Sequence, residues 1–131
     1  MVLGRRKTGE DARRRHAEDE TLAGRLPELL DTVESAEAAL RAANAEGAEV
    51  EDLHARGVAL DTALTDAMRA AYAQERTLIG ARGYDDRIYR RKRLAAPKVK
   101  AATQAAEHLL TLREAHRLHG IERVPTSPAG I

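Results

Sequence analysis

Leu22, Leu26, Leu29, Val33, Ala36, Leu40 and Ala43 follow one another at alternating steps of four and three residues. That is the a/d spacing of a helix packed against other helices in a bundle or coiled coil. After a break at residues 44–47 the spacing resumes at Val50, Leu53, Gly57, Leu60, Leu64, Ala67 and Ala71, with Leu78 and Ile79 at its end. No stretch of β-branched residues alternates with polar ones for a useful length, so the chain offers no strand. The expected class is all-α: a helical hairpin or one long helix, a short basic connector helix and a C-terminal helix, with bundle or coiled-coil packing.

Gly47 admits two readings. In a hairpin it lies just past the first helix, and Glu49, Glu51 and Asp52 occupy the positive first turn of the next one. In the other, one helix runs unbroken from Pro27 to Ile79. Leu22, Leu29, Ala36, Ala43, Val50, Gly57, Leu64, Ala71 and Leu78 keep a seven-residue period throughout, which suits that reading. His54 and Asp61 fall where the first frame wants apolar residues, and this change of phase favours the hairpin.

Ahead of these stripes, Thr8 with Asp11 forms an approximate capping box for a helix over 10–22. Glu10/Arg14 and Asp11/Arg15 are i,i+4 pairs in the better orientation, but large apolar residues are nearly absent. A solvated helix or docking arm is expected. Gly24 as C′ and Pro27 as N1 predict a break near 23–26. Gly80 and Gly83 end the long helix, and Asp85 or Asp86 caps a short helix to about residue 95. Ala96 is pushed out of the α region by Pro97, which opens the last helix, 97–119, ~35 Å long. Its stripe is Val99, Ala102, Ala106, Leu109 and Leu110, with Leu112 alongside, and Gly120 stops it. The expected organisation is a basic arm and polar helix over 1–24, a bundle over 25–119 containing the connector 82–100, and an extended tail over 120–131.

The core of a single chain should be thin. Leu, Val, Ile and Phe make up 25 of 131 residues, near the level where disorder becomes a concern, although a net charge of only +1 argues against disorder. Alanine supplies helix propensity but buries little surface, and oligomerisation is the usual remedy. With no cysteine, disulfides and thiolate metal sites are excluded. No apolar run spans a bilayer, and the first residues lack the apolar run of a secretory signal. A cytoplasmic protein with no membrane partner is expected. Eighteen arginines against four lysines hint at a GC-rich bacterial or phage genome, which adds the virion as a location if the chain is phage-encoded.

Charge is segregated. Residues 1–17 carry +4, 18–75 carry −10 and 82–100 carry +6. The last stretch contains Arg82, Tyr84, Arg87, Tyr89, Arg90, Arg91, Lys92, Arg93, Lys98 and Lys100. Arginines could neutralise phosphates there while the tyrosines stack on bases. Two plainer readings are a helix packed along the acidic helices, within the chain or across subunits, and a solvated face. Arg5, Arg6, Lys7 and Arg13–Arg15 either join the same footprint or form a solubilising arm.

The inventory for catalysis is poor. No nucleophile elbow, Walker loop, dinucleotide fingerprint or zinc-protease motif occurs. Ser35 and Ser127 are the only serines, and the acids at Glu49, Glu51 and Asp52 read as a solvated helix start. His116 and His119 lie i,i+3 with Glu122 beyond, but no third ligand is specified, so no metal is expected. His16, His54 and His108 stand alone. Gly57, on the apolar stripe, costs ~1 kcal/mol against alanine and marks either a close backbone approach or a tolerant site.

The expected protein is therefore not an enzyme and takes no cofactor or small-molecule substrate. It is a helical structural or assembly protein, a homo-oligomer or part of a larger complex such as a virion, connector or scaffold. Leu26, Leu29, Val33, Leu40, Val50, Leu53, Leu60, Leu64 and Leu78 would carry its packing or oligomer contacts. The alternative is a nucleic-acid-binding accessory protein that uses residues 82–100.

Overall fold

The hairpin is decided at Gly47, whose φ is +67°. Ala48 N–H donates to the Ala43 carbonyl at 3.0 Å and Gly47 N–H to the Asn44 carbonyl at 3.2 Å. Those two bonds are the Schellman ending of a helix, and they need a residue at ease with positive φ. The computed structural model describes residues 8–122. Its helices are α1 (Glu10–Gly24), α2 (Leu26–Ala45), α3 (Val50–Ile79), α4 (Arg87–Arg93) and α5 (Pro97–His119), with a 3-10 turn at Ala81–Tyr84 between α3 and α4. They pack as an all-α bundle, and no strand occurs among the described residues. The basic arm, 1–7, and the tail beyond residue 122 lie outside the described residues.

α3 is the hub. α1 and α2 run along one side of it, antiparallel, in a single register set by the Gly47 turn. His16 Nε2 meets the Thr77 carbonyl at 3.3 Å, and Asp19 meets Arg76 at 2.7 Å. Each of these pairs lies about equally far on either side of Gly47. α5 runs antiparallel along α3 as well: Arg113 Nε donates to Thr65 Oγ1 at 2.8 Å and Arg117 Nε to Asp61 Oδ1 at 2.6 Å.

A helix with neighbours on several sides needs more than one apolar face. Alanine supplies it. Ala67, Ala70 and Ala73 of α3 and Ala106 of α5 are 0% exposed. Small side chains let helix axes approach closely, since interaxial distance depends on the side chains at the contact. The core cluster joins Leu29 and Leu40 of α2, Leu60, Leu64, Ala67, Ala70 and Ala71 of α3, and Ala106 and Leu109 of α5. Burial of the leucines follows the expected stripes.

Several expectations need correction. α1 is not a solvated helix: Ala12 is buried and His16 and Asp19 are half-buried against α3 and the 3-10 turn. It docks through one small residue and a set of polar ones, which a search for large apolar residues passes over. Its N-cap is Gly9, with no side-chain cap, instead of Thr8. The break before α2 is a single residue, Arg25, whose N–H bonds the Leu22 carbonyl at 3.0 Å. Pro27 there cannot donate to the preceding turn, so the helix is interrupted without forming a loop. Gly24 ends α1 without positive φ. On α5, Leu112, expected alongside the stripe, is 42% exposed. Gly57 marks a close approach: a Cβ there would meet Ile121 Cα at 3.3 Å.

Candidate functional site

Gly80, with φ +108°, ends α3 and turns the chain into the 3-10 segment. Asp86 then caps α4, accepting from Tyr89 N–H at 2.9 Å, as either aspartate at this point was expected to do. The same carboxylate takes Arg82 Nε at 3.1 Å, and the Arg82 guanidinium lies 4.7 Å from the Tyr89 ring centroid. Arg82 and Tyr89 are thereby engaged with their own segment. Arg93 is engaged too: its Nη2 donates to the Leu78 carbonyl at 3.1 Å, satisfying an end-of-helix acceptor of α3. Its Nε is buried with no partner among the described residues.

Tyr84 belongs to a clamp between α1, α3 and the 3-10 turn. Its hydroxyl donates to Asp19 Oδ2 at 2.5 Å, and Asp19 also receives Arg76 through Nε at 2.7 Å and Nη2 at 3.1 Å. Arg15 stands 5.5 Å from the Tyr84 ring centroid, and His16 meets the ring edge-on. Burial alone would raise the Asp19 pKa. The hydrogen bonds from Arg76 and Tyr84, with the charges of Arg76 and Arg15, outweigh it and hold the carboxyl below its ordinary value. Burial, followed by the bond to Asp19, pushes the Tyr84 phenol well above its ordinary value. Tyr84 is thus a fastening of the fold, with its hydroxyl committed.

The rest of the basic stretch faces outward. Arg87, Arg90, Arg91 and Lys92 of α4 and Lys98 and Lys100 of α5 are exposed, and none forms an ion pair among the described residues. α4 packs on the 3-10 turn and buries no residue. Ile88 is 72% exposed. Arg87, Ile88, Arg90, Arg91, Lys92 and Leu94 line an open depression of about 730 Å³. The first turn of α5 has no acidic residue and carries Lys98 and Lys100. Cations at the positive end of a helix are unfavourable by ~0.3–1 kcal/mol each where exposed, so this end concentrates positive potential at some cost to the fold.

The opposite end is acidic. Glu46, Glu49, Glu51 and Asp52 are exposed around the Gly47 turn, and Glu46, Glu49 and Glu51 pair with no cation among the described residues. The 30 residues of α3 separate the two ends by about 45 Å. The basic helix therefore does not pack along the acidic helices of its own chain; among the described residues of the basic stretch only Arg82, in the 3-10 turn, pairs with a carboxylate, Asp86, and that one is local.

Of the expected packing stripe, Leu29, Leu40, Leu60 and Leu64 are buried, and Leu26, Val33, Val50, Leu53 and Leu78 are half-buried, all within the bundle of one chain. His116 is buried and its Nε2 donates to the Gly57 carbonyl at 2.7 Å, while His54 Nδ1 lies 2.7 Å from the Glu122 carbonyl. No cluster of three or more metal-ligating side chains occurs among the described residues. No described helix is long and apolar enough to cross a membrane. Sequence reasoning passed over Asp19 and Arg76 and saw Arg15 as a basic-arm residue paired with Asp11, although a signal for Asp19 existed: continued backwards from Leu22, the steps of three and four fall on Asp19, Arg15 and Ala12. Comparison of the chain with known protein families, with characterised proteins and with solved structures finds no match.

Proposed function

We propose that this chain is a non-enzymatic assembly protein that docks end-on, through α4 and the start of α5, onto an acidic surface of a larger complex. One observation carries the reading: Arg87, Arg90, Arg91, Lys92, Lys98 and Lys100 cluster at one end of the bundle with no carboxylate partner among the described residues. Exposed charges of one sign steer association and set register more than they add affinity. The acidic Gly47 end of a second copy has the complementary sign, and joining unlike ends gives a head-to-tail contact. Such a protein acts in the cytoplasm, or in a virion if phage-encoded.

Light scattering at two salt concentrations tests this. Mass should rise as salt falls, and the fourfold variant Arg87→Gln, Arg90→Gln, Arg91→Gln, Lys92→Gln should abolish the rise. A monomer at every salt concentration counts against self-association. Failure to join any acidic partner protein counts against docking altogether.

Nucleic-acid binding is the second reading, favoured by the run of outward cations on α4. Since Tyr84 and Tyr89 are engaged in the fold, phosphate contacts without base stacking would carry it. With ~6 phosphates neutralised, log affinity should fall against log salt with a slope near −5. No retention of DNA or RNA at low salt rejects this reading.

A further inference from the structure

Three arginines from three different helices contribute to one cavity. Arg15 of α1, Arg76 of α3 and Arg90 of α4, with Tyr84, Ile79 and Gly83, line a cavity of about 70 Å³. We infer that this cavity is a binding site for a phosphoryl anion, either inorganic phosphate or the terminal phosphate of a monoester. The inference is independent of which acidic partner α4 meets.

The charge balance points to an anion. Asp19 is the carboxylate nearest the cluster, and it is already committed to Arg76 in two-point contact and to the Tyr84 hydroxyl. Among the described residues Arg15 forms an ion pair with Asp11, at 3.9 Å, and that carboxylate is shared with Arg14. Arg90 has no ion pair among the described residues. Guanidinium groups are cationic, so an anion is attracted to a space that three arginines line. Their planar, multi-donor forks match the several oxygens of a phosphoryl group better than a single carboxylate.

Shape points the same way. On the measure by which a single water needs roughly 10–15 Å³, the cavity holds several waters, which is enough for a small oxyanion. Gly83 helps to make that space. A Cβ at this position would stand 2.4 Å from Ile79 Cγ2, so a side chain would force Ile79 to move. The wall is rigid as well, because Asp19 fixes Arg76 and Tyr84 in place before any ligand arrives, which lowers the ordering cost of binding.

Calorimetric titration of the full chain with inorganic phosphate, at ionic strength held constant with chloride, is the test. Arg90→Gln removes a lining cation that makes no side-chain hydrogen bond among the described residues, so the fold should survive; circular dichroism verifies this. Arg91→Gln removes an equal charge one position along α4, outside the cavity. Phosphate should bind the parent chain, and Arg90→Gln should weaken it at least tenfold while Arg91→Gln changes it less than twofold. No binding by the parent at ~10 mM overturns the inference, and so do similar losses in the two variants. Phenyl phosphate separates the sources. Binding at least as tight as inorganic phosphate assigns the site to a terminal phosphoryl group, and exclusion of the ester assigns it to the free ion.

Discussion

α1 and α2 lie end to end along the same face of α3, yet they are held by different chemistry. α2 brings Leu29 and Leu40 into the shared core. α1 brings Ala12 and a polar clamp in which Asp19 serves both Arg76 and Tyr84. Apolar contact is insensitive to pH and salt, whereas the clamp depends on one carboxylate staying charged. Two successive stretches of one arm therefore answer to different conditions.

The largest effect should come from the apolar side. Leu64→Ala, at a site where α2, α3 and α5 meet, should cost about 2–4 kcal/mol in urea unfolding and shift the whole transition as one. Asp19→Ala should cost less, about 1–2 kcal/mol, because Arg76 is partly exposed and water can replace part of the interaction. Its effect should be local, seen as faster amide exchange confined to α1.

A pH series sharpens the contrast. Asp19 has a folded pKa below its unfolded one, so its contribution is complete above about pH 4 and disappears as pH falls through the folded value. Asp61, held low first by its hydrogen bond from Arg117, acts in the same direction on α5. The acid limb of stability should flatten in Asp19→Ala and should persist in Leu64→Ala. The smallest effect belongs to the outer face: the fourfold glutamine variant of α4 should change unfolding by less than about 0.5 kcal/mol, since those side chains are exposed and form no ion pair among the described residues. A larger loss would show that α4 is structural.

What the sequence made legible depended on side-chain size. Leucine spacing marked α2 and α3, positive-φ chemistry marked the turn at Gly47, and Pro97 and Asp86 framed the ends of α4 and α5. Alanine misled. Ala63, Ala70 and Ala73 are buried in α3, but alanine is equally common on solvent faces, so the second apolar face of α3 left no distinct pattern. The polar docking of α1 was concealed because Asp19 occupies a position where the spacing continues but the hydrophobicity does not, and His16 lies beside that stripe. Of the basic stretch, the sequence showed the charge. It could not separate Arg82, Tyr84, Tyr89 and Arg93, which the fold employs, from Arg87, Arg90, Arg91 and Lys92, which it leaves outside. That division rests on tertiary contacts.

The antiparallel register about Gly47 also implies an order of assembly. The α2–α3 hairpin closes through the shortest loop, and each pair farther from the turn encloses more chain, which raises the entropic cost of contact slowly with length. The α1 contacts with α3 start at 57 residues, Asp19–Arg76, and reach 61 at His16–Thr77, whereas those between α3 and α5 start at 28, Thr103–Glu75, before reaching 59 at His116–Gly57. Structure should therefore spread outward from Gly47, with α1 arriving last and opening first. Pulse-labelled exchange during refolding should find the α1 amides protected after those of α2 and α3, and equal protection times would show that the bundle forms in one step.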